Sequence, residues 1–125
     1  MEKKKILIVE DEITLLEMYA LKLEKEGFCI QKALSGKAAW QLLKTSSLPD
    51  LILLDIIMPK MSGYEFLKAI KKEKRIKEIP VVFLTNLSPR PEEIAQSKKL
   101  GVIDYLIKSD YTPGQLAEKI KTYFK

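Results

Sequence analysis

Histidine is absent from this chain of 125 residues, and cysteine occurs once, as Cys29. The absence of histidine excludes Ser–His and Cys–His nucleophile pairs, histidine-ligated zinc sites and a histidine that phosphorylates itself. A single cysteine excludes an intrachain disulfide and a cysteine cluster that binds a metal. The apolar stretch Phe28-Cys29-Ile30 predicts that this cysteine is a small buried side chain. We therefore expect a protein of the reducing cytoplasm that uses neither histidine nor thiolate chemistry.

Long apolar runs and glycine-rich phosphate loops are also missing. No apolar run approaches the roughly 18 residues that a membrane-spanning helix needs. The N-terminus Met-Glu-Lys-Lys-Lys lacks the apolar core and the cleavage site of a signal peptide. Neither GxxxxGK nor GxGxxG occurs, so nucleotide binding through these loops is not supported. We expect no membrane association and no dedicated nucleotide site.

The composition that remains is typical of a globular domain, with 46% hydrophobic and 31% charged residues. The length fits one domain, so we expect a single domain over residues 1–125 and no effector domain in this chain. The net charge is +5, and the densest basic stretch runs from Lys68 to Lys77. No aromatic side chain is interleaved there to stack on bases. We interpret the stretch as a solvated helix end, and direct nucleic acid binding is not predicted.

Five short apolar segments alternate with five segments of helical periodicity. Near-continuous apolar strands are typical of a parallel sheet that is covered on both faces. The predicted strands are Lys5–Glu10, Phe28–Ala33, Leu51–Leu54, Pro80–Thr85 and Val102–Ile107. The predicted helices begin near Ile13, Ser35, Tyr64, Pro91 and Pro113, and Gly27 and Gly101 are suited to cap the first and fourth. The alternation predicts an α/β fold, a doubly wound parallel sheet with helices on both faces.

Polar residues follow several of the predicted strands. Glu10 and Asp11 end the first strand, Asp55 ends the third, Thr85 ends the fourth, and Lys108 follows the fifth. Because ligands of such sheets bind at the carboxyl ends of the strands, we expect these side chains to lie together. Three carboxylates carry a formal charge of −3, which one divalent cation and one ammonium group cancel. Oxygen ligands without histidine or cysteine indicate Mg²⁺.

A carboxylate in such a site has a specific chemical use. It can attack a phosphoryl group and form an aspartyl phosphate, while Mg²⁺, a lysine and a hydroxyl group stabilise the transferring phosphoryl oxygens. Taken singly, an acid at a strand end is more often a helix cap than a catalytic group. The prediction depends on four strand ends that supply acids, a hydroxyl and an amine together.

Four stretches of the sequence resemble the receiver domain of two-component response regulators, which have the chemotaxis-regulator-like fold. The stretches are Ile6-Leu-Ile-Val-Glu-Asp-Glu12, Asp55-Ile-Ile-Met-Pro-Lys-Met-Ser-Gly63, Phe83-Leu-Thr85 and Gly101-Val-Ile-Asp-Tyr-Leu-Ile-Lys108. The resemblance covers the chain from Lys5 to Phe124. It implies a flavodoxin-like (βα)5 fold with the sheet order 2-1-3-4-5. It also implies a phosphorylation-dependent switch that a histidine kinase or a phosphotransfer protein activates.

The resemblance implies roles for individual residues around the acidic cluster. Asp55 is expected to be the phosphoacceptor, and Lys108 is expected to bind the phosphoryl group. Asp11 is expected to bind Mg²⁺ directly, and Glu10 to act through water. The backbone carbonyl of Ile57 is expected to be a further metal ligand.

The same resemblance implies a switch and an output surface. Thr85 is expected to move toward the phosphoryl group, and Tyr105 to swing inward with it. The expected output surface is the fourth helix, fifth strand and fifth helix, at Pro91–Leu100, Val102–Ile107 and Pro113–Phe124. A downstream protein partner is expected there, and the chain is expected to be a monomer or a weak phosphorylation-dependent dimer.

The sequence departs from the family pattern at four positions near the site. Ser109 follows Lys108 where the family usually has proline, often with a cis bond, and a cis bond before serine would cost about 2.5–4 kcal/mol. Asn86 stands where the family has a small residue. Ile57 and Leu87 are apolar at positions that tune dephosphorylation, which predicts slow self-hydrolysis because neither can orient a water molecule.

Three alternative functions compete with the switch. A phosphatase of the haloacid dehalogenase type would need a second acid two residues after the nucleophile, where this chain has Ile57. A docking module of the same fold that is never phosphorylated is the second alternative. A nucleic-acid binder is the third, and its binding would weaken steeply with salt.

Overall fold

The computed structural model describes residues 3–45, 47–58 and 61–125. Pro59 and Lys60, which belong to the stretch that begins at Asp55, lie outside these ranges. The strands are β1 Lys5–Val9, β2 Cys29–Ala33, β3 Leu51–Leu54, β4 Val81–Thr85 and β5 Val102–Ile107. The helices are α1 Ile13–Lys25, α2 Gly36–Thr45, α3 Gly63–Lys71, α4 Pro91–Lys99 and α5 Pro113–Lys121. Short 3₁₀ turns follow β5 at Lys108–Asp110 and α5 at Thr122–Phe124.

The five strands form one parallel sheet in the order β2-β1-β3-β4-β5. Both the doubly wound α/β class and the strand order 2-1-3-4-5 are confirmed. The chain reverses its direction of winding between β1 and β3, which are neighbours in the centre of the sheet. A crevice therefore opens beyond the carboxyl ends of β1 and β3.

The sheet is apolar on both faces because successive strand side chains point to opposite sides. In β3, Leu51 and Leu53 pack in the core beneath α1 and α5, and Ile52 and Leu54 pack in the core beneath α2 and α3. All four side chains of β3 are at most 1% exposed. The apolar run in the sequence therefore reflects a central strand that is covered on both faces.

The edge strand β2 corrects one prediction. Cys29 is exposed rather than buried. Since β2 pairs with β1 and ends the sheet order on that side, helices cover its side chains only in part. The apolar neighbours of Cys29 in the sequence could not show that its strand lies at the edge.

The helix ends follow the predicted signals. Gly27 after α1 and Gly101 after α4 have positive φ angles of 99° and 90°, a backbone conformation that favours glycine. Thr112 and Gln115 form a capping box at the start of α5, beside the predicted helix start at Pro113. Within the described ranges, no helix combines the length and the apolar character that a bilayer crossing requires.

Candidate functional site

The carboxyl ends of β1 and β3 place three acids together. Glu10 is 2% exposed and Asp55 is 6% exposed, whereas Asp11 points to solvent. One carboxylate oxygen from each of the three lies within 4.8 Å of the others. The backbone positions Asp55 beside β1 because its N–H donates to the carbonyl of Val9 at 3.1 Å. The predicted convergence of these side chains is therefore present in the structure.

Lys108 reaches into this cluster from the end of β5. Its Nζ donates to Oδ2 of Asp55 at 2.9 Å and also forms an ion pair with Glu10. The side chain of Lys108 is only 9% exposed, so both contacts are largely shielded from water. The peptide bond between Lys108 and Ser109 is trans. The ammonium group therefore reaches the two buried carboxylates without the cis bond that the family often has.

Burial and pairing act in opposite directions on the charged groups. Burial raises the pKa of Glu10, and this effect outweighs the opposing contacts with Lys108 and with the N–H of Glu12. Burial alone would lower the pKa of Lys108, but its bonds to Glu10 and Asp55 outweigh burial and raise that pKa. The lysine therefore stays charged at neutral pH, and it offsets part of the negative charge of the cluster.

The loop after β3 fixes the position of Asp55. The N–H of Ile57 donates to Asp55 Oδ1 at 3.4 Å, and the N–H of Gly63 donates to the carbonyl of Ile56 at 2.8 Å. A Cβ on Gly63 would lie 2.4 Å from the carbonyl oxygen of Asp55 and 2.8 Å from Cα of Ile56. A side chain at position 63 would therefore displace the acceptor segment. The sequence stretch that ends at Gly63 did not indicate this close approach.

Thr85 and Tyr105 each form a hydrogen bond with the main chain of Leu87. Thr85 is fully buried, and its Oγ1 accepts a hydrogen bond from the N–H of Leu87 at 3.3 Å. The hydroxyl of half-buried Tyr105 donates to the carbonyl of Leu87 at 3.3 Å. The Tyr105 ring packs edge-on against Phe83, and burial raises the pKa of Tyr105 to about 12. The two predicted switch residues therefore contact one peptide segment after β4, which the sequence did not indicate.

The rim of the site is apolar where the sequence predicted it. Ile57 is 60% exposed and Leu87 is 38% exposed. Asn86 is also exposed and follows Thr85 directly. None of these three side chains, which follow the ends of β3 and β4, carries a charge.

On the surface expected for output, polar contacts join β5 to α5 and to the 3₁₀ turn that follows α5. The hydroxyl of Tyr123 donates to Oδ2 of Asp104 at 2.6 Å, and Lys119 Nζ lies 3.6 Å from the same oxygen. Burial, together with this hydrogen bond, raises the pKa of Tyr123. The helix α4 of the same surface is less buried, since Ser97 is its only buried residue. Ile94 within α4 and Leu100 directly after it are half-buried.

Comparison with protein families gives a match over most of the chain. The family model of the response regulator receiver domain matches residues 6–121 of this chain. Among curated proteins, the chain is 35% identical over 122 residues to the phosphate regulon transcriptional regulatory protein PhoB of Escherichia coli, which covers 98% of this chain and 52% of PhoB. It is 30% identical over 125 residues to the probable transcriptional regulator ycf27 of Porphyridium aerugineum, covering 100% of this chain and 50% of that protein. The chain spans about half the length of these relatives.

Solved structures give similar matches. The chemotaxis protein CheY4 of Vibrio cholerae superposes with a TM-score of 0.87 at 28% identity, covering 97% of this chain and 98% of that chain. A CheY-like response regulator receiver domain protein from Methanospirillum hungatei superposes with a TM-score of 0.85 at 28% identity, covering 98% and 94% of the two chains. The fold and the acidic site described above therefore occur in a chain that resembles these proteins along nearly its whole length.

Proposed function

Because the chain belongs to the response regulator receiver domain family, we propose that it is a phosphorylation-dependent signalling switch that accepts a phosphoryl group on Asp55. The observation that carries this proposal is the contact between Lys108 Nζ and Asp55 Oδ2, 2.9 Å long and nearly buried. A lysine that contacts the acceptor carboxylate before the transfer is positioned to contact the phosphoryl oxygens after it.

In the proposed reaction, a carboxylate oxygen of Asp55 attacks the phosphorus atom of a phosphohistidine or of an acyl phosphate. The new oxygen–phosphorus bond forms as the bond from phosphorus to the donor nitrogen or oxygen breaks, and the donor leaves with the bonding electrons. Lys108 stabilises the charge on the phosphoryl oxygens, and the hydroxyl of Thr85 donates to one of them. Since the chain contains no histidine, we propose a histidine kinase or a phosphotransfer protein as the donor.

We further propose that the acidic cluster holds Mg²⁺. The donor set fits, because three carboxylates with oxygens within 4.8 Å suit a hard cation. Asp11 is exposed and would bind directly, together with Asp55 and the carbonyl of Ile57. Glu10 is already bonded to Lys108 and to the N–H of Glu12, so it would act through water. The bound ion would supply positive charge that neutralises the phosphoryl oxygens.

The hydrogen bonds of Thr85 and Tyr105 to Leu87 suggest how phosphorylation of Asp55 changes the structure of the surface. When Thr85 turns toward the phosphoryl group, the N–H of Leu87 loses the acceptor that it now has at 3.3 Å. The segment after β4 can then shift, and with it the carbonyl that Tyr105 now binds. Contacts available in one state only are what bias a two-state equilibrium. We propose that the inward movement of Tyr105 changes the surface of α4, β5 and α5, which a downstream protein recognises.

The proposal is tested by intact-protein mass spectrometry with acetyl phosphate, with and without Mg²⁺, and then with a phosphorylated histidine kinase as donor. We expect one phosphoryl adduct that requires Mg²⁺ and that Asp55→Asn abolishes. Asp110→Asn is the matched control, because Asp110 is exposed on the turn after β5 and should leave the adduct unchanged.

The remaining outcomes are distinct. An adduct that persists in Asp55→Asn would place the acceptor elsewhere and overturn the assignment of Asp55. No adduct from either donor, in a chain whose circular dichroism shows the folded state, would overturn the switch.

A further inference from the structure

A cavity of about 560 Å³ lies between α2 and α3, on the face of the sheet that carries these helices. Its walls include the side chains of Leu34, Trp40, Met61 and Ala69, which are apolar. This volume is within the range of small-molecule sites, roughly 300–1,000 Å³. The cavity belongs neither to the acidic cluster nor to the surface of α4, β5 and α5.

The cavity leaves apolar surface uncovered in the free protein. Leu34 is 44% exposed, and Trp40, the only tryptophan of the chain, is half-buried against the core. Met61 leans over the start of α2, where a Cβ on Gly36 would lie 2.9 Å from its sulfur atom. The Met61 side chain occupies the room that the missing side chain of Gly36 leaves, and methionine adapts its shape to irregular ligands. An apolar ligand would remove these side chains from water.

The charges at the cavity are positive. Lys37 belongs to its lining, and the described lining residues include no acid. Lys44, which lies on the same stripe of α2, has its ammonium group 5.3 Å from the centroid of the Trp40 ring. Lys37 lies in the first turn of α2, so the positive end of the helix dipole adds to its charge. A ligand with an apolar body and one negative charge matches both features of the site.

We propose that this cavity binds a small amphipathic carboxylate, with its apolar body between Trp40, Met61 and Ala69 and its carboxylate at Lys37. The inference does not rest on the proposed phosphorylation. Binding would occur in the chain whether or not Asp55 accepts a phosphoryl group.

The test is a titration with decanoate below its critical micelle concentration. Binding is measured by the fluorescence of Trp40 and by calorimetry. We expect a saturable change with one site, and weaker binding of the neutral analogue decanol and of the cationic analogue decyltrimethylammonium. Lys37→Gln should weaken decanoate binding about fivefold, the size expected for a partly exposed ion pair, and should leave decanol unaffected. Lys25→Gln, an exposed lysine of α1, is the matched control and should change neither.

A second variant tests the location. Ala69→Leu fills the cavity and should abolish decanoate binding, whereas Ala95→Leu on the exposed side of α4 should not. Equal binding of decanoate and decanol, or decanoate binding unchanged in both Lys37→Gln and Ala69→Leu, would overturn the proposal. A concentration-dependent dimer that Ala69→Leu dissociates would also overturn it, because the surface would then bind a second copy of the chain.

Discussion

Asp55 has different partners on its two carboxylate oxygens, and this asymmetry is built by residues far apart in the sequence. Oδ2 accepts from Lys108 at 2.9 Å, and Oδ1 accepts from the N–H of Ile57 at 3.4 Å. Removing one partner of a buried charge pair leaves the other charge without compensation. The side chain of Asp55 therefore depends on both the end of β5 and the loop after β3 for its orientation.

At the residue scale, the first prediction concerns Gly63. Alanine is ordinarily the better helix former, but a Cβ at this position would lie 2.4 Å from the carbonyl oxygen of Asp55. We expect Gly63→Ala to lower the free energy of unfolding by about 1–3 kcal/mol, as overpacking does, and to slow phosphorylation from acetyl phosphate. Urea unfolding and adduct mass measure the two effects.

Gly114→Ala is the matched control for that substitution. Gly114 lies in the first turn of α5, and the nearest atoms to a Cβ there are 3.9 Å away, which is ordinary contact. We expect this variant to be at least as stable as the unsubstituted chain. Equal effects of the two alanines would show that the close approach at Gly63 does not hold Asp55 in place.

The second prediction at this scale concerns the lifetime of the phosphorylated state. Ile57 and Leu87 are exposed apolar side chains in the segments that follow β3 and β4, and an apolar side chain cannot orient a water molecule for attack on phosphorus. We expect slow loss of the adduct, and severalfold faster loss in Ile57→Asn or Leu87→Glu, followed by mass spectrometry after the donor is removed. Met18→Asn, a change at another exposed apolar side chain on α1, should have no effect. Rapid loss that neither substitution near the site alters would contradict this explanation.

At the scale of the elements, α4 and α5 form a natural comparison because each has nine residues. The buried side chains of α5 are Leu116, Ala117 and Ile120, whereas α4 buries only Ser97. Little apolar burial means a small free energy for local opening. We expect the amides of α4 to exchange with deuterium faster than those of α5 in the unphosphorylated chain. Similar protection of the two helices would mean that α4 is held by contacts other than apolar burial.

The elements also show what the sequence could and could not predict. Strands and helices were predicted because apolar runs and cap signals are local, and the three acids and Lys108 at the strand ends converged as expected. The exposure of Cys29 depends on the edge position of β2, which is a property of the sheet and not of the segment. The shared bonds of Thr85 and Tyr105 to Leu87 depend on how the segment after β4 folds back. Contacts between distant segments are therefore the part that local sequence patterns leave open.

At the scale of the whole molecule, net charge and local charge have opposite signs. The chain carries a formal charge of +5, yet the three clustered acids with Lys108 sum to −2 when all are ionised. Folding brings Asp55 next to Glu10 and Asp11 from a distant part of the chain, so the unfolded chain lacks this site. An ion that binds only the folded state stabilises it in proportion to the logarithm of its concentration.

We therefore expect Mg²⁺ to raise the unfolding temperature, with about 1.4 kcal/mol of added stability at ten times its dissociation constant. Differential scanning fluorimetry across a Mg²⁺ titration measures the shift, with NaCl at matched ionic strength as the reference. Asp11→Asn should remove most of the shift, because it removes one carboxylate of the cluster and, at an exposed position, should change little else. Asp110→Asn, at an exposed position outside the cluster, should retain the shift. A shift that NaCl reproduces, or that Asp11→Asn leaves intact, would show that the ion acts by screening the surface charges rather than by binding at the strand ends.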